Sequence, residues 1–317
     1  MKRSNSIALA LTVVCGFALT CYAQPVDTII VNDTWSDVNR TSAGPNGISG
    51  IDSIWYASSG AANTVPAAGD MRWAVPAGSL FNTTYFPSAI SPYGNQAVTL
   101  VNPGDTLAVS WTFALTGVNA INGNQNFLVA VANTPGTHLT TQASPSSQIY
   151  SGYSTFMNMG QTLSNSSPFA LKEWISTGTA TSLLGASGAW GANGVAGNLA
   201  TTGTVGNTGF ENTTYTYFMS LTLGLSGDLI ITNSITGGTL LNGGAGNETV
   251  VVDDTTPNTL TFDTFGVREG TSTATASQFD TSNFRVDFIS VPEPTTLALS
   301  GMTLLGLAGY GYRRMRR

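Results

Sequence analysis

The stretch "TLAVSWTFAL", Thr106 to Leu115, puts Leu107, Val109, Trp111, Phe113 and Leu115 at every second position, with Ala108, Ser110, Thr112 and Ala114 between them. Successive side chains of a strand point to opposite faces, so this spacing predicts a strand with one face on a core and the other toward water. A helix would scatter the same apolar groups around its axis. "TYTYFMSLTLGL", Thr214 to Leu225, repeats the pattern: Tyr215, Tyr217, Met219, Leu221, Leu223 and Leu225 alternate with Thr216, Phe218, Ser220, Thr222 and Gly224.

Shorter runs at 28–31, 54–57, 71–75, 97–101, 127–132, 229–232, 249–252, 260–265 and 284–289 read as further strands. Turn residues separate most of them, as in "NPGD" at 102–105 and "SGD" at 226–228. About eleven strands without intervening amphipathic helices predict an all-β fold, an antiparallel sandwich of jelly-roll type. The glycine-rich stretch Gly185 to Gly209 has no usable period and reads as a long surface loop. No internal repeat is found.

Composition agrees. Charged residues make up 9% of the 317, against about 25% in ordinary globular proteins, and 36 residues are glycine. Hydroxyl and β-branched side chains disfavour helices, so helices should be scarce in the body. Between Asp27 and Asp287 stand five basic residues and sixteen acids, a net charge of −11. A nucleic-acid partner is excluded on that ground, since neutralising phosphate needs a basic face.

The two ends carry their own signals. Lys2 and Arg3 precede an apolar run from Ile7 to Leu19, and Cys21-Tyr22-Ala23 offers small residues for signal peptidase; this reads as a signal peptide, 1–23, cut after Ala23. The run is shorter than the ~20 residues of a transmembrane helix, and Ala18 stands where a lipoprotein signal ending at Cys21 usually has Leu. Both cysteines, Cys15 and Cys21, leave with this segment, so the exported body would hold no disulfide and no thiolate metal site. At the other end, 295–312 is free of charge and as a helix would extend about 27 Å, close to the hydrocarbon thickness. Pro292 and Pro294 stop that helix from continuing backwards. Arg313, Arg314, Arg316 and Arg317 follow the span and would lie in the cytoplasm, with the body on the far side.

Chemistry-bearing residues are few. His138, the single histidine, sits in "NTPGTHLTT" with no nucleophile-elbow sequence anywhere, and reads as a solvated loop residue. Glu-x-Asp or Glu-x-Glu, the strand trace of a retaining glycosidase pair, is absent. Asp33 and Asp37, with Asn32 and Asn39, would supply hard oxygen ligands for calcium, although a plain turn reads as well; no other cofactor is expected. "GGAGNE", 243–248, is similar to one unit of a calcium-binding nonapeptide repeat but stands alone. Trp35, Trp55, Tyr56, Trp73, Tyr93, Trp174 and Trp190 lie outside the two clear strands; exposed rings of this sort stack on sugars, but most of these read as core or loop anchors. Trp190, in the glycine-rich stretch, is the first candidate for ligand contact.

Pro292-Glu293-Pro294, a short apolar span and a terminal arginine cluster together resemble the PEP-CTERM sorting signal of Gram-negative bacteria that make extracellular polysaccharide. The resemblance covers 291–317 and implies a membrane-embedded exosortase that cuts near the tripeptide and releases the body to the surface or matrix. "VNDTWSDVNRTSAGPNGISGIDSIWYAS" (31–58), "LTFDTFGVREG" (260–270) and "FDTSNFRVDFISV" (279–291) look like secreted concanavalin-like sandwich proteins that carry such a tail. The expected organisation is a signal peptide at 1–23, a β-sandwich at 24–290 and a sorting tail at 291–317. The expected function is a non-enzymatic surface or matrix protein, carbohydrate-binding or structural. The alternative is a secreted glycan hydrolase, marked by two carboxylates within reach of each other in an aromatic-lined groove.

Overall fold

A computed structural model describes residues 25–292, apart from 39–51, 59–61, 77–79, 89–90, 96, 121–126, 137, 140, 142–149, 164–166, 176–188, 240–245 and 270–274. Ala23 with the signal segment, Glu293, Pro294, the span 295–312 and the four terminal arginines lie outside the described residues, as does the segment 243–245 of "GGAGNE". In chain order the strands are β1 (Val26–Asp33), β2 (Trp55–Ala57), β3 (Ala62–Ala67), β4 (Asp70–Ala74), β5 (Phe81–Tyr85), β6 (Pro87–Ser88), β7 (Ser91–Asn95), β8 (Val98–Thr99), β9 (Thr106–Thr116) and β10 (Phe127–Asn133). They continue with β11 (Ser151–Met157), β12 (Phe169–Trp174), β13 (Trp190–Gly191), β14 (Ala200–Thr202), β15 (Thr214–Leu223), β16 (Leu229–Gly237), β17 (Asn247–Asp254), β18 (Thr261–Phe262), β19 (Thr264–Glu269) and β20 (Gln278–Ser290). No α-helix occurs among the described residues, and none of their elements is a helix long and apolar enough to cross a membrane.

Two large antiparallel sheets hold most of these strands. The first runs β17-β16-β15-β9-β20-β4-β3, with β1 joined to β20. The second runs β13-β12-β11-β10-β19-β5-β2, with β14 joined to β12. The pairs β18-β8 and β6-β7 are separate. The chain divides into two compact units, Thr28–Phe288, and Met1–Asp27 with Ile289–Arg317. Of the second unit the described residues are 25–27 and 289–292, the extended ends of β1 and β20 followed by Val291 and Pro292.

The alternating segments became β9 and β15, hydrogen-bonded neighbours with Trp111 opposite Tyr217 and Phe113 opposite Tyr215. Their apolar face meets the second sheet. Trp111 stacks on Phe113 at 3.9 Å and touches Phe127 of β10 and Phe265 of β19 at 6.1 and 5.8 Å. That interlocking of rings from both sheets is what makes the body a sandwich. One polar network crosses the core, where Tyr217 Oη lies 2.8 Å from Thr155 Oγ1 and accepts from Asn233 Nδ2 at 2.9 Å.

The sequence reading needs correcting in its strand inventory. β3, β5, β6, β7, β11 and β12 were not anticipated, and the segment expected at 260–265 is two strands parted by Asp263. The glycine-rich stretch is not one loop throughout, because β13 and β14 lie within its described part.

Candidate functional site

The second sheet differs from the first in having apolar groups on both faces. Along β10, Phe127, Val129 and Val131 enter the main core, while Leu128 and Ala130 belong to a separate cluster with Phe81, Tyr150, Phe156, Ala170, Trp174 and Trp190. Period two assigns this cluster to the outer face. Cross-strand register orders it: Phe81, Arg268, Leu128, Phe156 and Ala170 form one row, and Thr83, Gly266, Ala130, Ser154 and Lys172 the next. A third row, Tyr85, Thr264, Ala132 and Gly152, completes a floor of mostly small side chains with rings at both ends.

At one end Trp174 and Trp190 are register partners, their rings 5.0 Å apart and edge to face. Tyr150 packs on Trp174 at 5.4 Å and Phe156 on Trp190 at 6.1 Å. Tyr150 Oη, Trp174 Nε1 and Trp190 Nε1 are all buried and have no hydrogen-bond partner among the described residues. Such groups ordinarily find one, and each left bare costs about 1–3 kcal/mol. Burial, with Tyr85 nearby, pushes the Tyr150 phenol far up, against the pull of Arg268. Lys172 Nζ stands 4.6 Å from the Phe156 ring centre, and burial pushes its ammonium down. Burial pushes the Arg268 guanidinium down as well, with Tyr150 opposing.

The opposite end corrects the reading of His138. Its side chain is 18% exposed, and Nε2 lies 3.1 Å from Asp263 Oδ2, so it is no solvated loop residue. Asp263 Oδ1 accepts from Thr134 N at 2.8 Å and Thr264 Oγ1 at 2.6 Å. The imidazole sits edge-on to Tyr85 at 4.2 Å, and Tyr85 approaches Tyr56 at 6.0 Å. No sequence signal marks this pair, because His138 and Asp263 are 125 residues apart.

The other candidates are mostly committed to internal roles. Asp33 is buried: Oδ1 accepts from Trp35 N at 2.9 Å, and Oδ2 from Ser53 N at 2.9 Å and Ser53 Oγ at 2.7 Å. Burial pushes its carboxyl up despite these bonds, with Asp37 adding a little. Asp37 lies in the turn after β1. Glu248 is buried at the start of β17. Among the described residues no three His, Cys, Asp or Glu converge as a metal site. Trp35, Trp55, Trp73, Trp111, Trp174 and Trp190 are all buried, so none of these rings offers a solvent-open face; Trp190 is 1% exposed.

Two carboxylate pairs form that the spacing rule missed. Glu173 faces inward from β12, accepts from Asn258 N at 2.8 Å, and is pushed up by burial and by Asp254. Asp228 is held below the usual range by Ser226, and Asp253 is pushed up by burial and Asp228.

Comparison with known families adds the tail. Residues 290–317 match the PEP-CTERM protein-sorting motif. The resemblance read from the tail is borne out over that segment, which takes in Pro292, Glu293, Pro294, Arg313, Arg314, Arg316 and Arg317. The motif implies an exported protein processed by an exosortase at the membrane. No curated protein matches the sequence. Among solved structures the chain is similar to the acidic lectin of winged bean complexed with methyl-α-D-galactose, at 9% identity and a TM-score of 0.46, covering 85% of this chain and 100% of the lectin. It is similar also to the Ca2+-bound exoplasmic/lumenal domain of VIP36, at 12% identity and TM-score 0.43, covering 84% and 92%. A third is the potassium-bound carbohydrate recognition domain of Emp46p, at 8% identity and TM-score 0.40, covering 73% and 87%. With TM-scores below 0.5, these likenesses carry no ligand to this chain.

Proposed function

We propose that the protein is made by a Gram-negative bacterium with a signal peptide, removed by signal peptidase after Ala23, and is held for a time in the inner membrane by 295–312. An exosortase then cuts near Pro292-Glu293-Pro294 and the body, 24–290, reaches the cell surface or matrix. There it binds extracellular polysaccharide without catalysis, through the outer face of the second sheet, with Trp190 in the wall of the site. The observation that carries this reading is the sorting motif at 290–317, joined to a body of few charges and many hydroxyl side chains. Hydroxyl groups beside rings suit sugars.

The hydrolase reading has less support. Glu173 and Asp254 are both buried, and Asp228 and Asp253 have Ser226 and Ile230 as neighbours, so neither pair fronts a ring-lined groove. Calcium has no assigned place in this reading, since Asp33 already serves Trp35 and Ser53.

Two experiments test the proposal. Mass spectrometry of the protein accumulated in its host should find a new N-terminus at Gln24 and a C-terminus near Pro294; an intact tail would refute the processing. A glycan array together with the host's own polymer should bind the protein, and silence on both would end the saccharide reading.

A further inference from the structure

We infer that the end of the sandwich at which β20 finishes is a membrane-facing rim, whose apolar turn tips Leu225 and Val101 dip into the surface of a zwitterionic bilayer while the tail is uncut. This rests on the reading above in which 295–312 holds the body at the membrane. The run of β20 sets which end is meant. Ser277 N donates to Thr116 O at 3.1 Å and Trp111 Nε1 to Thr281 Oγ1 at 3.2 Å, so β20 passes along β9 from its Thr116 end toward its Thr106 end. Phe288, seven residues beyond Thr281, is therefore level with the start of β9. From Phe288 to Thr295 the chain reaches about 25 Å at most. Whatever holds 295–312 holds this end of the body.

Exposed apolar side chains gather at the same end. The turn 101–105 leads into β9 and the turn 224–228 leaves β15, and the two lie side by side, with Gly104 N donating to Leu223 O at 2.7 Å and Leu223 N to Asp105 O at 2.9 Å. Leu225 is 94% exposed and Val101 65%. Ile230, opposite Asp253, and Val251, opposite Thr232, are exposed diagonal neighbours on β16 and β17. Val195 is exposed in a turn tied to the chain just past β17, where Thr256 Oγ1 donates to Asn193 Oδ1 at 3.1 Å. Single exposed apolar residues are ordinary, but these gather where the chain leaves the body. Both tips are held outward by carboxylates: Asp105 Oδ2 accepts from Val101 N at 2.9 Å and Asn102 N at 2.8 Å, and Asp228 Oδ1 from Ser226 N at 3.1 Å and from Ser226 Oγ. Neither turn carries a lysine or arginine, and Asp228 and Asp253 stand beside them, so this end suits zwitterionic rather than anionic lipid. A few apolar side chains bind a bilayer only weakly. The rim therefore orients the body while the tail holds it and lets go after the cut.

The test uses the full chain reconstituted into phosphatidylcholine vesicles, with and without bromine on the acyl chains, which quenches tryptophan on contact. All six native tryptophans are buried, so one placed at an exposed position adds a readable signal over the parent. Leu225→Trp and Val101→Trp should each lose about half or more of that added emission to brominated lipid, because interfacial apolar groups sit about 5–10 Å into the boundary of headgroups and chains. Val205→Trp is the control. Val205 is exposed at the opposite end, where Gly206 N donates to Leu163 O at 2.8 Å and Gln161 N to Asn119 O at 3.1 Å, and its variant should lose none. Mixing in anionic phosphatidylglycerol should lessen the loss at 225 and 101; a greater loss would mean that charge and not apolar contact draws this end down, and would overturn the inference. If the chain floats with the vesicles after an alkaline wash, yet positions 225 and 101 are quenched no more than 205, the inference is overturned and the membrane anchor stands. If the chain does not float, the anchor reading falls and takes this inference with it.

Discussion

Tyr153 Oη donates a 2.7 Å hydrogen bond to Asp254 Oδ2 and so ties β11 of the second sheet to the end of β17 of the first. Both residues are buried, and Asp254 also accepts from Thr256 N at 3.1 Å. Burial and the neighbouring Asp254 push the phenol far up, so it stays a donor at any working pH. Tyr153→Phe strands a buried carboxylate oxygen and should cost about 1–3 kcal/mol, read as a lower urea midpoint with an unchanged slope.

Trp111 is the hinge of the packing between sheets. It meets Phe113, Phe127, Phe265 and Phe279, and its Nε1 donates to Thr281 at 3.2 Å. Trp111→Ala removes a ring from a close-packed centre and should cost about 3–5 kcal/mol. Trp111→Phe should cost less but still strand Thr281. Chemical denaturation of the two variants against the parent checks the order.

The contrast between β9 and β5 explains what could be read from sequence. β9 has one face in the core and one of Ala, Ser and Thr, so alternation is plain in "TLAVSWTFALT". In β5, "FNTTY", every residue is buried, because Phe81 joins the outer cluster and Tyr85 packs on His138 while Asn82 and Thr84 face inward. A strand covered on both faces has no contrast to display. β11 and β12, which bring Phe156, Lys172 and Trp174 to the site, were missed for the same reason. Trp190 stood out only because glycines surround it. Lys172 and Arg268 could have been suspected from scarcity, as two of five basic residues in the body. The sorting motif was legible because it is linear, whereas Tyr153 and Asp254 are 101 residues apart and meet only on folding.

Gly152 lies opposite Ala132 in the floor of the site with φ +134°, a backbone that side chains rarely adopt. A Cβ there would stand 2.5 Å from Val131 O and 2.7 Å from Ala132 Cα. Gly152→Ala should therefore both strain the backbone and push β10 from β11, by roughly 1–3 kcal/mol from the backbone alone. Lower Tm with weaker saccharide binding is the expected pair of results; an unchanged Tm would show that the strands yield freely.

Glu269 gives the clearest pH dependence. It is fully buried at the end of β19, and burial pushes its carboxyl well above the usual glutamate range, outweighing backbone bonds from Thr275, at 2.7 Å, and Ala276. The folded protein therefore keeps this proton at a pH where the unfolded chain, with its value near 4.5, has lost it. More protons are bound folded than unfolded in that window, so this contribution to stability falls as pH rises from about 4.5 through the folded value. Glu269→Gln keeps the shape and an acceptor for Thr275 but cannot ionise. Its Tm should change less than the parent's between pH 5 and pH 8, and at pH 8 should be the higher by roughly 2–4 °C or more. General repulsion in an acidic body also eases on acidification, but both proteins share it, so the difference between their curves isolates residue 269. Parallel curves would mean that the carboxyl ionises in the fold at no cost.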